Sequence, residues 1–149
     1  MPEVSSVETI RAAVEAIVPA MPDRPGGAEL GVQDHVVRSI ELAFPGFVDL
    51  IAILLDGFAT DVRAGATFAQ LSPEERGEVF RLMTNGETQD LRDAVDVILL
   101  FTYGGMYSEW TGCRRPTGEL DPPEAWRHVG YHGPVDGVPD FGTDASDPK

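Results

Sequence analysis

Apolar residues recur at intervals of three and four positions through most of the first 110 residues, and this spacing restricts the fold more than any other feature. The interval places them on one face of an α-helix, whereas a half-buried strand would alternate every second residue. Pro19, Pro45 and the pair Asn85-Gly86 interrupt the pattern at points where a helix must end. The pattern predicts an all-α fold, a compact bundle of about five helices joined by short connections.

Start and stop signals give approximate bounds for these helices. The predicted elements are a first helix capped by Ser6, a second from Leu30 to Phe44, a third from Phe47 to Arg63, a fourth opened by Ser72-Pro73-Glu74-Glu75, and a fifth capped by Thr88 and running from about Gln89 to about Phe101. The third helix carries apolar residues around most of its circumference, so we expect it to be central and nearly buried.

The character of the chain changes near residue 111. Residues 111–149 contain six glycines and six prolines, too many for regular helix. Trp126, Tyr131 and Phe141 lie in the same stretch, although disordered linkers are usually poor in aromatic residues. We therefore predict one domain, with a helical bundle over residues 1–110 and an extended arm over 111–149.

Charge and cysteine content exclude several classes of function. The formal net charge is −14, with 11 basic against 25 acidic residues, which disfavours nucleic acid and anionic membrane surfaces as partners. Cys113 is the single cysteine, so no internal disulfide can form. The N-terminus shows neither a basic leader nor a twin arginine, and we expect a cytoplasmic protein.

Motifs that carry chemistry are missing from the sequence. It contains no dinucleotide fingerprint, phosphate loop or nucleophile elbow. Asp90, Asp93 and Asp96 recur every three residues and are interpreted as a solvated helix face. We expect no catalytic, cofactor-binding or metal-binding residues in this chain.

Two alternatives to a purely binding function remain open at this point. His128 and His132 could contribute to a metal site if His35 or a carboxylate supplied a third ligand. A small ligand could instead occupy a pocket beneath the segment from Tyr103 to Trp110.

Aromatic residues and glycines cluster between Phe101 and Pro134. Trp, Tyr and Arg are enriched at the centres of protein interfaces. The residues predicted to contact a partner are Tyr103, Tyr107, Trp110, Trp126, Arg127, His128, Tyr131, His132 and Pro134. The competing interpretation is that these aromatics fasten the arm to its own bundle, and both interpretations can hold for different residues.

The sequence resembles the gluconate 2-dehydrogenase subunit 3 family over about residues 7 to 137. The blocks that carry the resemblance are Ile17-Val18-Pro19, Gly27-Ala28-Glu29-Leu30-Gly31-Val32, Gly65 to Arg76, and Trp126 with Gly130-Tyr131-x-Gly133-Pro134. Two departures are the absence of the twin-arginine leader that many members carry and His132 where proline is common.

The resemblance implies a helical accessory subunit without flavin or haem of its own. Such a subunit binds a large glucose–methanol–choline-type flavoprotein, helps it mature and often accompanies it across the membrane. FAD would then belong to the partner, whose substrate would be a sugar, a glycoside or a sugar acid.

Overall fold

The computed structural model describes residues 1–108 and 124–130. Its elements are α1 (Val4–Ile17), α2 (Val32–Ala43), α3 (Phe47–Val62), a single 3-10 turn (Phe68–Gln70), α4 (Pro73–Thr84), α5 (Gln89–Tyr107) and α6 (Glu124–Val129). No strand occurs within these residues, where Met21 and Arg24 form an isolated β-bridge. The predicted all-α class is confirmed.

The five long helices enclose one apolar core. Helix α1 contacts each of the other four, and α2 packs along α5. Large side chains that are fully buried come from each of the five long helices and from the 3-10 turn: Ile10, Ile40, Ile51, Leu55, Phe68, Met83 and Ile98. Burying such side chains stabilises the fold by about 1.5–3 kcal/mol each.

The prediction that α3 is nearly buried is wrong. Ile51 and Leu55 are fully buried, but the side chains of Leu50 and Ile53 are 46% and 67% exposed. Helix α1, not α3, lies among all the other long helices, and within the described residues no helix packs over one side of α3. The apolar residues on that side therefore form surface.

The first helix begins earlier than its predicted cap. Glu3 flanks the helix and Val4 is its first residue, so Ser6 lies within the first turn and is buried. The backbone N–H of Glu3 donates to Oδ1 of Asp49 at 3.0 Å, and the hydroxyl of Ser6 also bonds this carboxylate. The carboxylate of Asp49 on α3 thus accepts hydrogen bonds from groups at the start of α1. Capping rules consider only neighbouring residues in the sequence and do not predict this contact.

The second helix begins at Val32, two residues after the predicted start at Leu30. Gly31 precedes it with φ of 72°, a left-handed conformation that a helix cannot continue through and that glycine adopts at little cost. The third and fourth helices match their predicted starts, Phe47 and Pro73.

The fifth helix extends to Tyr107, six residues beyond its predicted end near Phe101. Gly104 and Gly105 lie inside it, although glycine costs about 1 kcal/mol in a helix relative to alanine. A Cβ atom added to Gly105 would lie 2.7 Å from Cδ2 of His35 and 3.0 Å from Cγ1 of Val32. The close packing of α5 on α2 therefore needs glycine here and stabilises the longer helix.

Part of the predicted extended arm is helical. Glu124–Val129 forms α6, and Gly130 follows with φ of 70°. Trp126 and Ala125 on this short helix are buried, and α6 contacts α5. The remainder of the arm and residues 109 and 110 lie outside the described residues.

Within residues 1–108 and 124–130, no single helix is both long and apolar enough to cross a bilayer. Only α2 and α3 taken together reach that length and hydropathy, with a bend of 119° between them.

Candidate partner-binding surface

The residues between Gly65 and Arg76 are engaged in holding the chain together. The amide of Phe68 donates to Oδ1 of Asp56 on α3 at 2.8 Å, and the phenyl ring is fully buried. Ser72 and Glu75 form a reciprocal capping box at the start of α4, with bonds of 3.3 and 2.7 Å. This segment is a structural connector between α3 and α4.

Arg76 joins three elements through its guanidinium group. Nη1 donates to Oε2 of Glu15 on α1 at 2.7 Å, and Nη2 donates to the carbonyl of Ala69 at 2.9 Å. The guanidinium carbon also lies 6.0 Å from the centroid of the Phe68 ring. With a side chain only 11% exposed, Arg76 is positioned to stabilise the fold and has little surface to offer a substrate.

Two of the predicted metal ligands, His35 and His128, lie on different helices, α2 and α6. No group of three or more His, Cys, Asp or Glu side chains in residues 1–108 and 124–130 could hold a metal ion. His35 lies between α2 and α5, where burial lowers its pKa, and His128 is exposed on α6. His132 and Cys113 lie outside the described residues, so a site that depends on either residue stays a prediction.

Asp90, Asp93 and Asp96 are all exposed on α5, as predicted for a solvated face. Nε2 of Gln89 donates to Oδ1 of Asp93 at 2.7 Å. The three carboxylates do not stand alone, however, because they border an apolar groove between α3 and α5.

This groove encloses about 650 Å³ at its larger end, where it is lined by Phe44, Phe47, Val97 and Leu100 together with Asp93 and Asp96. A second depression of about 360 Å³ continues from Phe47 and Asp93 towards Leu50, Leu54 and Asp90. The two share lining residues and form one surface, which we call the α3–α5 groove. Its walls are mainly apolar, and its acidic edge belongs to α5.

The groove has unusually exposed apolar walls. Leu100 is 67% exposed, Phe44 54% and Leu50 46%. Phe44 forms a tilted ring pair with Phe47, with the ring centroids 5.8 Å apart. Single exposed apolar residues are ordinary, but contiguous exposed apolar residues mark interaction surfaces.

The exposed row of α5 continues from the groove towards its C-terminal end. Asp96, Leu100, Tyr103 and Tyr107 are spaced by four, three and four residues, which places them on one side of the helix. Tyr103 is 48% exposed and Tyr107 46% exposed. Two of the predicted interface tyrosines thus lie in line with the groove.

Trp126, in contrast, packs on its own bundle. Its side chain is only 6% exposed, and its indole Nε1 donates to the backbone carbonyl of Tyr107 at 2.5 Å. Of the two interpretations left open by the sequence, attachment of the arm to its own bundle describes this residue. Arg127 and His128, the next two residues, are exposed.

The other predicted interface residues, Trp110, Tyr131, His132 and Pro134, lie outside the described residues. Sequence analysis also missed the groove residues Phe44, Phe47, Leu50 and Leu100. A signal for Phe47 and Leu50 existed, because α3 has more apolar residues than one buried face requires. Without the packing of neighbouring helices, that excess could not be divided into core and surface.

A comparison with protein families places the chain. The model of the family described as gluconate 2-dehydrogenase subunit 3 matches residues 5–133 of the 149. The chain belongs to the gluconate 2-dehydrogenase subunit 3 family. No match was found to a curated protein or to a solved structure. The family is named for a subunit of gluconate 2-dehydrogenase, and that name implies association with another chain.

The family resemblance rests on residues whose roles in the described part of the chain are structural. Gly27, the first residue of one of these blocks, is buried in the turn after α1, where its amide donates to the carbonyl of Val18 at 2.9 Å. The amide of Gly26 donates to Oε2 of Glu29 at 2.9 Å, which closes the turn. Together with those of the Gly65 to Arg76 segment, these contacts show that the residues carrying the resemblance hold the helices of this chain together.

Proposed function

We propose that this chain is a non-catalytic small subunit that binds, stabilises or matures a large FAD-dependent dehydrogenase or oxidase. The partner would be of the glucose–methanol–choline type and would act on a sugar, a glycoside or a sugar acid. The observation that carries the proposal is the family match over residues 5–133. FAD would be bound by the partner and not by this chain.

The surface of the bundle supports a binding function. Exposed apolar side chains on α3 and α5 lie in one continuous region with Tyr103 and Tyr107, the residue types that interface centres favour. A stable interface between obligate partners buries on the order of 2,000 Å² or more. The groove and the tyrosine row would be one part of such an interface.

The motif residues support the same proposal from another direction. Arg76 joins α4 to α1 and to the 3-10 turn through hydrogen bonds, and Ser72 and Glu75 cap the start of α4. Side chains with these hydrogen bonds stabilise the arrangement of the helices. A non-catalytic subunit needs such a stable arrangement in order to present a fixed binding surface to its partner.

We expect a neighbouring reading frame to encode such a flavoprotein, and co-expression of the two chains tests the proposal. We expect an affinity-tagged chain to retain the flavoprotein with bound flavin, and we expect the yield of soluble flavoprotein to fall when the chain is omitted. A flavoprotein that is equally soluble and active alone, and that does not co-purify, would refute the proposal.

The isolated chain provides the matched control. Supplied with FAD, a sugar and an artificial electron acceptor, it should show no turnover. Stoichiometric zinc in the purified chain that is lost in His132→Ala would favour the metal-binding alternative instead.

A further inference from the structure

We propose that the α3–α5 groove receives an amphipathic segment of the large subunit, whose apolar side chains fill the groove and whose lysine or arginine residues pair with Asp90, Asp93 and Asp96. The inference rests on the proposed function and adds where the partner docks and what chemistry its docking segment must have.

The shape of the groove favours a polypeptide segment over a compact ligand. Two connected depressions run along the helices from Leu100 to Leu54, so the apolar surface is elongated and open along its length. On α3, Phe47, Leu50 and Leu54 follow one another at three- and four-residue spacing and present a continuous row. An amphipathic segment laid in such a groove buries side chains at matching intervals.

The acidic border specifies the charge of the occupant. Asp90, Asp93 and Asp96 are exposed, and none of the ion pairs found in residues 1–108 and 124–130, such as Arg63 with Glu75, involves them. An apolar partner without cations would bring these carboxylates out of water uncompensated, which costs free energy. Lysine or arginine beside the apolar anchors would offset that cost and would determine the orientation of the segment.

The same charges argue against a second copy of the chain. A twofold symmetric contact through the groove would place the acidic row of one copy near that of the other. Each copy also carries a formal net charge of −14, and like charges across an interface are destabilising. An anionic lipid surface is disfavoured for the same reason. The neutral tyrosines that continue the row on α5 fit a protein partner.

Two substitutions on the groove test the inference in the co-expressed complex. Leu100→Asp places a charge at an apolar wall, and Asp96→Lys reverses the charge of the acidic border. Because Leu100 is 67% exposed and Asp96 is exposed, we expect neither to change the melting temperature of the free chain by more than a degree or two. Each should weaken binding of the flavoprotein about tenfold or more.

Matched controls lie elsewhere on the same molecule. Met21→Asp places a charge on a residue that is 47% exposed in the loop after α1, and Asp61→Lys reverses an exposed carboxylate near the C-terminal end of α3. Both should bind within about twofold of the wild type, the usual range for substitutions outside an interface. Added salt should weaken the wild-type complex more than the Asp96→Lys complex.

A photo-reactive benzophenone residue in place of Leu100 identifies the occupant. We expect it to cross-link a flavoprotein peptide that carries apolar residues beside lysine or arginine. Cross-linking to a second copy, or to a peptide without cations, would overturn the inference. If the wild type co-purifies and both groove variants bind as well as it does, the inference is overturned and the proposed function stands. If the wild type does not co-purify with the flavoprotein, both are refuted.

Discussion

The indole Nε1 of Trp126 donates a hydrogen bond to the backbone carbonyl of Tyr107, which joins the short helix α6 to the last turn of α5. The carbonyl groups in the last turn of a helix lack partners within that helix. Trp126 satisfies one of them from a distance of 19 residues along the chain and buries its ring in doing so. The exposed tyrosine row of α5 therefore ends where the chain's own C-terminal part is attached.

Substituting Trp126 should destabilise the free chain. Trp126→Ala removes a buried aromatic ring and should lower the free energy of unfolding by about 3 kcal/mol. Trp126→Phe retains most of the apolar contact but removes the donor, and should cost about 1 kcal/mol. Urea denaturation of the free chain measures both values. Unchanged stability in Trp126→Ala, with weaker assembly, would instead assign the ring to the partner interface.

Gly104 and Gly105 should respond in opposite directions to alanine. The Cβ of Gly105→Ala would meet His35 and Val32 at 2.7–3.0 Å, so α2 and α5 must separate, at a cost of about 1–3 kcal/mol. Nothing lies within 4 Å of the corresponding atom at Gly104, and Gly104→Ala should stabilise the helix by up to about 1 kcal/mol. Thermal denaturation of the two variants distinguishes these outcomes. Stabilisation of both would show that α2 and α5 can move apart at little cost in free energy.

Arg76 should contribute far more to stability than its ion-pair partner. Arg76→Ala removes bonds to Glu15 and to the carbonyl of Ala69 together with the contact with the Phe68 ring, and should cost about 2–3 kcal/mol. Glu15→Ala removes a side chain that is 59% exposed and should cost less than about 1 kcal/mol. Equal losses in urea denaturation would mean that the salt bridge, and not the buried carbonyl bond, dominates.

His35 should make stability dependent on pH in the mildly acidic range. Burial lowers its pKa from the ordinary value of 6.5, so the unfolded chain binds this proton at a higher pH than the folded chain does. The stabilisation is complete above about pH 6.5 and is lost as the pH falls through the lowered folded pKa. Unfolding by urea at about pH 7.5 and about pH 5.5 measures the loss.

His35→Gln serves as the control for that measurement, because it removes the titrating group while the carboxylates remain. The variant should lose less stability between the two pH values than the wild type does. Parallel losses would assign the pH dependence to other groups. Asp49, whose pKa is lowered by hydrogen bonds from Ser6 and from the Glu3 amide, titrates at lower pH and should not contribute in this range.

Several local features of the fold could be predicted because their causes lie within a few residues. The start signal of α4 lies within four consecutive positions, 72–75, where Ser72, Pro73 and Glu75 supply it. The structure shows the capping box between Ser72 and Glu75. Pro45 and the helical spacing of apolar residues predicted the break before Phe47 in the same way. These features depend on backbone geometry and on short-range hydrogen bonds, which the local sequence determines.

Features that depend on distant residues were not predictable. The start of α1 is satisfied by Asp49, 46 residues away, and α5 continues through Gly104 and Gly105 because α2 packs closely against it. For Trp126 the sequence left partner contact and attachment to its own bundle both open, and the hydrogen bond to the last turn of α5 accounts for the burial of its ring. In each case the deciding contact joins elements whose relative position the sequence pattern does not state.

The sequence by itself determined the helical class, the acidic surface and the resemblance to the gluconate 2-dehydrogenase subunit 3 family. Only the tertiary structure decided which apolar residues form the core and which form the α3–α5 groove. Helical spacing shows that Ile51 and Ile53 point in different directions from α3, but both are equally apolar in sequence. Ile51 is buried and Ile53 is 67% exposed because α1 lies among the other long helices, while in the part of the chain that the structure describes no helix covers one side of α3.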